Sequence, residues 1–186
     1  MKKIIFVIFS FLLVIPLFPV KKKFYTALGF GYQFKSDQYF KLVYDNGMVD
    51  YTADLGYWFG KHIASGIKVS YSGEKGETAL LKSETRLKQI PVVGYVKAGL
   101  EIGKKWQGYV SLGMGYMFFK EESYIGTVKE SQFGWEIESG IEFSFAKRFY
   151  FLGAARYQSF KKTFPEMNET HQLGGTDIRL GLGIRY

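Results

Sequence analysis

At 186 residues the chain is sized for one domain, and the absence of cysteine excludes a disulfide framework, a thiolate metal site and a lipid-modified cysteine. Aromatic residues make up 19% and glycines number 22, while the mean hydropathy is only −0.07, an average that conceals a membrane protein whenever apolar residues alternate with polar ones. The formal charge of +8 is scattered over separate turns, so it is not a nucleic-acid signal and no nucleic-acid partner is expected.

Residues 1–20 read as a separate unit. Lys2 and Lys3 precede an apolar run from Ile4 to Val20, broken by Pro16 and Pro19. A basic start followed by an apolar stretch is the pattern of a secretory signal peptide. No small-x-small triplet lies between Leu13 and Lys23, so removal is placed only to within 20–23. The alternative is an uncleaved anchor helix; the two prolines and a run short of the ~20 residues needed to span count against it.

From Phe24 onward the period is two. The first strand, about Phe24–Phe34, puts Phe24, Leu28, Phe30, Tyr32 and Phe34 on one face and Tyr25, Ala27, Gly29, Gly31 and Gln33 on the other. A polar connection, 35–47, leads to a strand over about 48–59, with Val49, Tyr51, Ala53, Leu55 and Tyr57 opposite Asp50, Thr52, Asp54 and Gly56. A tight turn and a strand over 63–71 follow, then a second long connection over 72–83. The fourth strand, about 84–96, has no cleanly apolar phase, and Pro91 predicts a bulge because proline donates no ladder hydrogen bond. A fifth strand over 108–118, a long connection over 120–130, a sixth over 132–145, a short turn, a seventh over 149–158 and a long connection over 159–173 bring the chain to its last strand. There Ile178, Leu180, Leu182, Ile184 and Tyr186 alternate with Asp177, Arg179, Gly181, Gly183 and Arg185. Eight strands with connections alternating long and short predict an up-and-down antiparallel barrel, which closes the sheet and removes its edges.

Which face points outward is a question of volume. An eight-stranded interior is just wide enough for side chains to fill it or to hold one small ligand. A soluble ligand-binding barrel would have to pack Phe30, Tyr51, Tyr116, Phe133, Trp135 and Phe143, among others, into that interior. The inverse arrangement puts glycines and charges inside and the aromatics outside, where lipid headgroup belts favour them. Asp50, Asp54, Lys68, Glu136, Glu138, Glu142, Arg156, Asp177 and Arg179 are then expected to form a charge-paired lumen network, since unpaired charges there would be costly. On the short-turn side Lys21, Lys22, Lys23, Lys61, Lys97, Lys104, Lys105, Lys147 and Arg148 face Glu101 alone, a basic collar suited to anionic lipid headgroups.

The strand rhythm, the segment Ala155-Arg156-Tyr157-Gln158 and the final strand resemble the OmpA/OmpX-type eight-stranded outer-membrane barrels, including the outer membrane protein beta-barrel domain family. Arg179, Gly181, Ile184 and Tyr186 fill the four slots of that class's C-terminal signal. The resemblance implies short periplasmic turns, four long extracellular loops, recognition of the signal by the barrel-assembly machinery, and residence among outer-membrane lipids in a Gram-negative bacterium. It implies a structural barrel or, alternatively, an adhesin that binds a host factor through its loops, where Tyr39, Phe40, Tyr124 and Ile125 are apolar. A small gated pore and a lipid-modifying enzyme are the remaining class roles. The only histidines, His62 and His171, lack the neighbours that a catalytic pair requires. His62 reads as a turn residue, and His171, which could pair with Glu169, is followed by Gln172 and Leu173 where lipid A deacylase barrels have His-x-Ser. Glu136, Glu138 and Glu142 are inward positions on one strand, expected to be laddered by Arg156, Arg179 and Lys68. The expectation is a non-enzymatic barrel with no cofactor and no metal.

Overall fold

The computed structural model describes residues 24–37, 41, 43–44, 47–77, 83–124, 126–164 and 169–186. The segment expected to be a signal peptide, Tyr39, Phe40 and Ile125 lie outside the described residues. Nine strands run in chain order: β1 (Phe24–Lys35), β2 (Gly47–Trp58), β3 (Ile63–Glu77), β4 (Glu84–Glu101), β5 (Trp106–Ser123), β6 (Gly126–Ser144), β7 (Phe149–Phe164), β8 (Glu169–Gln172) and β9 (Gly175–Arg185). Every pairing is antiparallel, and β1 meets both β2 and β9, so β1 to β7 with β9 close an eight-stranded barrel. The short β8 pairs with the far end of β7 and continues the register that β9 keeps with the same strand.

The register fixes the barrel's dimensions. Following directly opposite partners from Phe24 leads through Tyr57, Ser65, Val96, Leu112, Ile137, Tyr157 and Thr176 and returns to β1 at Phe34, ten residues further along. A stagger of that size over eight strands corresponds to a tilt of about 40° and a radius of about 8 Å. Each strand residue then climbs about 2.5 Å along the axis.

Alternation decides what each face meets. Outward-pointing Leu28, Phe30, Ile67, Leu112, Met114 and Leu180 are more than half exposed. That is intolerable in water as one contiguous surface, and it is the band expected where lipid replaces water. Aromatic pairs bound the band. Near the short turns Phe24 meets Tyr57 at 4.8 Å, Trp106 meets Phe143 at 4.6 Å and Phe145 meets Phe151 at 4.6 Å. At the other end Tyr116 meets Phe133 at 5.4 Å and Trp135 meets Tyr157 at 5.6 Å. Trp106 and Tyr116 share β5 and are separated by about 25 Å along the axis, the height of a transmembrane barrel's apolar band.

Inside, glycine makes room for tyrosine. Tyr25 is directly opposite Gly56, Tyr95 opposite Gly66, Tyr109 opposite Gly140 and Tyr150 opposite Gly183. In each pair the ring lies over its glycine so closely that a Cβ would collide with it. Gly134 accommodates Phe160 in the same way. An inward glycine therefore lowers the volume of the wall where a large ring must lie flat against it.

Three expectations are corrected. Pro91 makes no bulge: the ladder between β3 and β4 lapses between Val92 and Gln89 but resumes in the same register, and Pro91 stays opposite Met117 on β5. The missing donor falls within the lapse, so no extra residue is needed. Strand four also has a clear phase, with Leu87, Gln89, Val93, Tyr95 and Lys97 buried inside and Ile90, Val96 and Leu100 exposed outside. The long connections after β3, β5 and β7 are largely strand: β3 to β6 continue beyond the aromatic belt as a four-stranded wall, with Glu77 opposite Glu84 and Ser123 opposite Gly126, and β7 with β8 forms a second hairpin.

Candidate functional site

Alternate residues of eight strands converge on the lumen. Glu138 on β6 accepts hydrogen bonds from Lys68 Nζ at 2.7 Å, Arg179 Nη2 at 2.6 Å and the Tyr109 hydroxyl at 2.8 Å. Two residues along the strand, Glu136 accepts from Lys68 Nζ at 2.7 Å and from Gln158 at 3.1 Å. Arg156 on β7 donates to Asp177 at 2.5 Å, to Asp50 at 2.8 Å and to the Ser70 hydroxyl at 2.9 Å, and lies 3.8 Å from Glu136. Asp54 accepts from the Tyr95 hydroxyl and sits opposite Lys68. All nine charged residues expected in the lumen are buried. They do not form one ladder. Glu142, four residues beyond Glu138 toward the short turns, pairs instead with Lys97 at 2.8 Å and with Arg185.

Sequence reasoning missed part of this network. Lys97 was placed in the basic collar, yet it is buried in the lumen, with its ammonium 4.0 Å from the Tyr109 ring centroid and 4.8 Å from that of Tyr25. Lys35 was placed in a loop, yet it closes β1 inside the barrel and donates to Gln89 at 2.5 Å, Gln33 at 2.9 Å and the Leu173 carbonyl at 3.2 Å. The signal for both was strand phase: each falls on the inward set of its strand once the strand is extended. Among the described residues, Lys35, Lys68, Lys97, Arg156, Arg179 and the partly buried Arg185 face Asp50, Asp54, Glu136, Glu138, Glu142 and Asp177, and Glu74 on β3 adds its charge near Lys35.

Above the network the lumen is plugged. Tyr44, Met48, Leu87, Met117, Phe119, Phe160 and Leu173 form a buried apolar cluster at the long-connection end. Tyr44 donates to Glu121 at 2.5 Å, and burial followed by that carboxylate pushes its hydroxyl pKa above the ordinary value. The two histidines lie apart from each other. His62 Nδ1 is 3.1 Å from the Gly99 carbonyl near a short turn, and His171 Nδ1 is 3.2 Å from Asp37 across the connection; the side chain of Glu169 lies outside the described residues. Among the described residues no group of His, Asp and Glu has the geometry of a metal site. A depression of about 710 Å³ on the outer wall is lined by Ala98, Val110, Ser139, Ala155 and Leu180, where small side chains on neighbouring strands thin the lipid-facing surface.

The residues of the C-terminal pattern divide by phase. Arg179 and Gly181 face the lumen; Ile184 pairs with Thr26 and Phe149 on the wall. The Tyr186 amide donates to the Phe24 carbonyl at 2.8 Å, tying the last residue to the start of β1.

Comparison with known proteins agrees with this architecture. The family model for the outer membrane protein beta-barrel domain matches residues 17–186. Among solved structures, OprG from Pseudomonas aeruginosa superposes with a TM-score of 0.67 at 14% identity, covering 89% of this chain and 97% of that one. Neisserial surface protein A gives 0.60 at 13% identity, over 88% and 97%. Ail, the attachment invasion locus protein of Yersinia pestis, gives 0.58 at 15% identity, over 90% and 100%. No curated protein matches the chain. Likeness at this identity speaks for the fold, and the family match covers nearly the whole chain: it belongs to the outer membrane protein β-barrel domain family, and its place is the outer membrane of a Gram-negative bacterium.

Proposed function

We propose that the protein is a non-enzymatic, non-conducting outer-membrane barrel with a structural role, exposing its extracellular hairpins as a surface for binding. The observation that supports this best is the filled lumen: paired buried charges below, an apolar plug above. An eight-stranded interior is just wide enough for side chains to fill, which leaves little room for water to cross one occupied in this way. Catalysis would need a base with a nucleophile in reach; His171 is oriented by Asp37, but the residues after it, Gln172 and Leu173, supply no hydroxyl or thiol nucleophile. In planar bilayers the pure protein is expected to give no large, steady conductance steps, and porin-sized steps would overturn the reading. Unchanged lipid A mass spectra on expression are expected, and a modified lipid A would revive the enzyme alternative.

The second reading, an adhesin, is favoured by one feature. Above the barrel, β5 and β6 continue as a paired hairpin from Gly134, where the ladder with β7 begins, up to Ser123 and Gly126, and so reach beyond the barrel wall. Tyr124 and Val128 are exposed on it. The Ail structure in complex with the heparin analogue sucrose octasulfate has the same fold at 16% identity and a TM-score of 0.58, which makes a sulfated glycan a reasonable first ligand to test. Deleting 120–129 and measuring attachment to glycan-bearing cells separates the two readings: loss of attachment by a folded barrel supports the adhesin, and no loss supports the structural role. Completing the proposal, residues 1–20 direct export and are removed at 20–23, and Arg179, Gly181, Ile184 and Tyr186 are read by the barrel-assembly machinery. The mature mass is expected to begin between Lys21 and Phe24.

A further inference from the structure

The outer face of the extracellular wall carries three lysines in a row. Lys88 on β4 is directly opposite Lys120 on β5, which is directly opposite Lys129 on β6. Side chains at directly opposite positions on one face lie about 5 Å apart, and like charges so placed repel. Lys120 is bonded to Glu122, but Lys88 and Lys129 have no ion-pair partner among the described residues. The nearby cations Lys75 and Arg86 are occupied by Glu84, at 3.5 and 3.0 Å. The field of the row is felt by its one carboxylate: the hydrogen bond from Lys120, and then the charges of Lys120, Lys88 and Arg86, hold the Glu122 carboxyl below its ordinary pKa.

The row's height is what identifies a partner. It shares the lipid-facing phase of its strands. Ile90, Phe118 and Ser131 form the next outward row below, and Val92, Tyr116 and Phe133 the one below that. The lysines therefore stand about 5–10 Å above the upper aromatic belt. That is headgroup level in the external leaflet, where the lipid anchors of a Gram-negative outer membrane carry phosphates on a glucosamine core. A solvent-facing polyanion would meet the tip of the wall first, and there Glu77 and Glu84 are exposed. Beyond the row, Lys75 and Arg86 are paired with Glu84, and Glu77 and Glu122 add carboxylates, so the unpaired positive charge lies toward the membrane, an order that suits an anion held in the bilayer.

We propose that Lys88, Lys120 and Lys129 bind a phosphate of the external-leaflet glycolipid, lipid A, whose acyl chains lie along the aromatic and aliphatic rows beneath. The anion turns a repulsive row into an attractive one and ties the β4–β6 wall to the leaflet.

The full chain is purified from outer membranes of a Gram-negative host and placed in phosphatidylcholine nanodiscs containing bisphosphorylated lipid A, and retained lipid A is counted by native mass spectrometry. K88Q/K120Q/K129Q is expected to retain lipid A about a hundredfold more weakly, a tenfold loss for about each unit-and-a-half of lysine contacts removed near an anionic surface. The control K61Q/K104Q/K105Q, at the periplasmic turns, is expected to leave retention unchanged. Wild-type protein is expected to retain dephosphorylated lipid A no better than phosphatidylcholine. Equal retention by the triple variant, or equal retention of the dephosphorylated lipid by wild type, overturns the proposal; the second arm decides even if the triple variant fails to fold. If the triple variant loses binding to soluble heparin while keeping lipid A, the row serves a polysaccharide and the proposal is wrong.

Discussion

Glu138 is the point at which the lumen network is most exposed to a single change. Glu138→Gln keeps the shape and removes one charge. Lys68 retains Glu136 at 2.7 Å, but Arg179 loses the carboxylate that it meets at 2.6 Å, and both groups are buried. The lumen would then carry one more uncompensated positive charge, with five of its six cations buried and Arg185 partly so. Breaking a buried ion pair by removing one partner costs about 3–5 kcal/mol, because the remaining charge stays desolvated. The Tyr109 hydroxyl can still donate to the amide oxygen, which keeps the cost from exceeding that range. Equilibrium urea unfolding in detergent or thin-bilayer vesicles, followed by tryptophan fluorescence and gel mobility, reads the change directly. The double variant Glu138→Gln/Arg179→Gln restores charge balance and is expected to recover about half of the loss or more, a coupling of the size seen between contacting groups. A loss below about 1 kcal/mol for the single variant, or strict additivity in the double, would refute the idea that these charges act as a paired and desolvated set.

Lys97→Met is expected to be milder, about 1.5–3 kcal/mol in the same assay, because Arg185 still reaches Glu142; a loss as large as that of Glu138→Gln would contradict this. Gly140→Ala drives a Cβ against the Tyr109 ring and the Gly153 carbonyl, at 2.7 and 2.6 Å, and is expected to cost about 1–3 kcal/mol, with Tyr109→Ala in the same chain removing part of the penalty. Glu122 lies outside the membrane and its carboxyl pKa is lowered by Lys120, so its pairing contributes above the unfolded-state value and is lost as pH falls through the lower folded value. An NMR titration is expected to place its midpoint below the ordinary 4.5, and a midpoint at or above 4.5 would show that the Lys120 contact does not persist in solution.

The parts of the structure that could be read from the sequence are those set by period two. Alternation gave the strands, the outward aromatic face and the inward Glu136, Glu138, Arg156 and Arg179, because one register slip would turn a whole face inside out. What escaped was set by length. Polar residues beyond the belt were read as loop because an extended hairpin in water needs no apolar face, and so the strands after Tyr71 and Phe118 were cut short. Lys35 and Lys97 were misplaced for a related reason: near a strand end, a lysine in a tilted barrel has the same sequence neighbourhood whether it points to solvent or into the lumen. The bulge expected at Pro91 failed because proline's missing donor coincides with a lapse in the ladder, and that is a property of the partner strand. Tyrosines 25, 95, 109 and 150 were assigned no role, although each lies opposite a glycine that had been read as relief of volume; the pairing needs the cross-strand register, which no single strand reveals.

The account rests on a closed sheet with its apolar face toward lipid. The direct test is the mobility of the protein in SDS, boiled against unboiled, after purification from outer membranes in mild detergent. Because every barrel strand edge within the membrane is paired, from β1 with β2 around to β9 with β1, the unboiled protein is expected to resist SDS and migrate differently from the boiled form. Identical mobility before and after heating, together with a soluble monomer once detergent is removed, would mean that the faces are inverted and that the apolar residues line an interior.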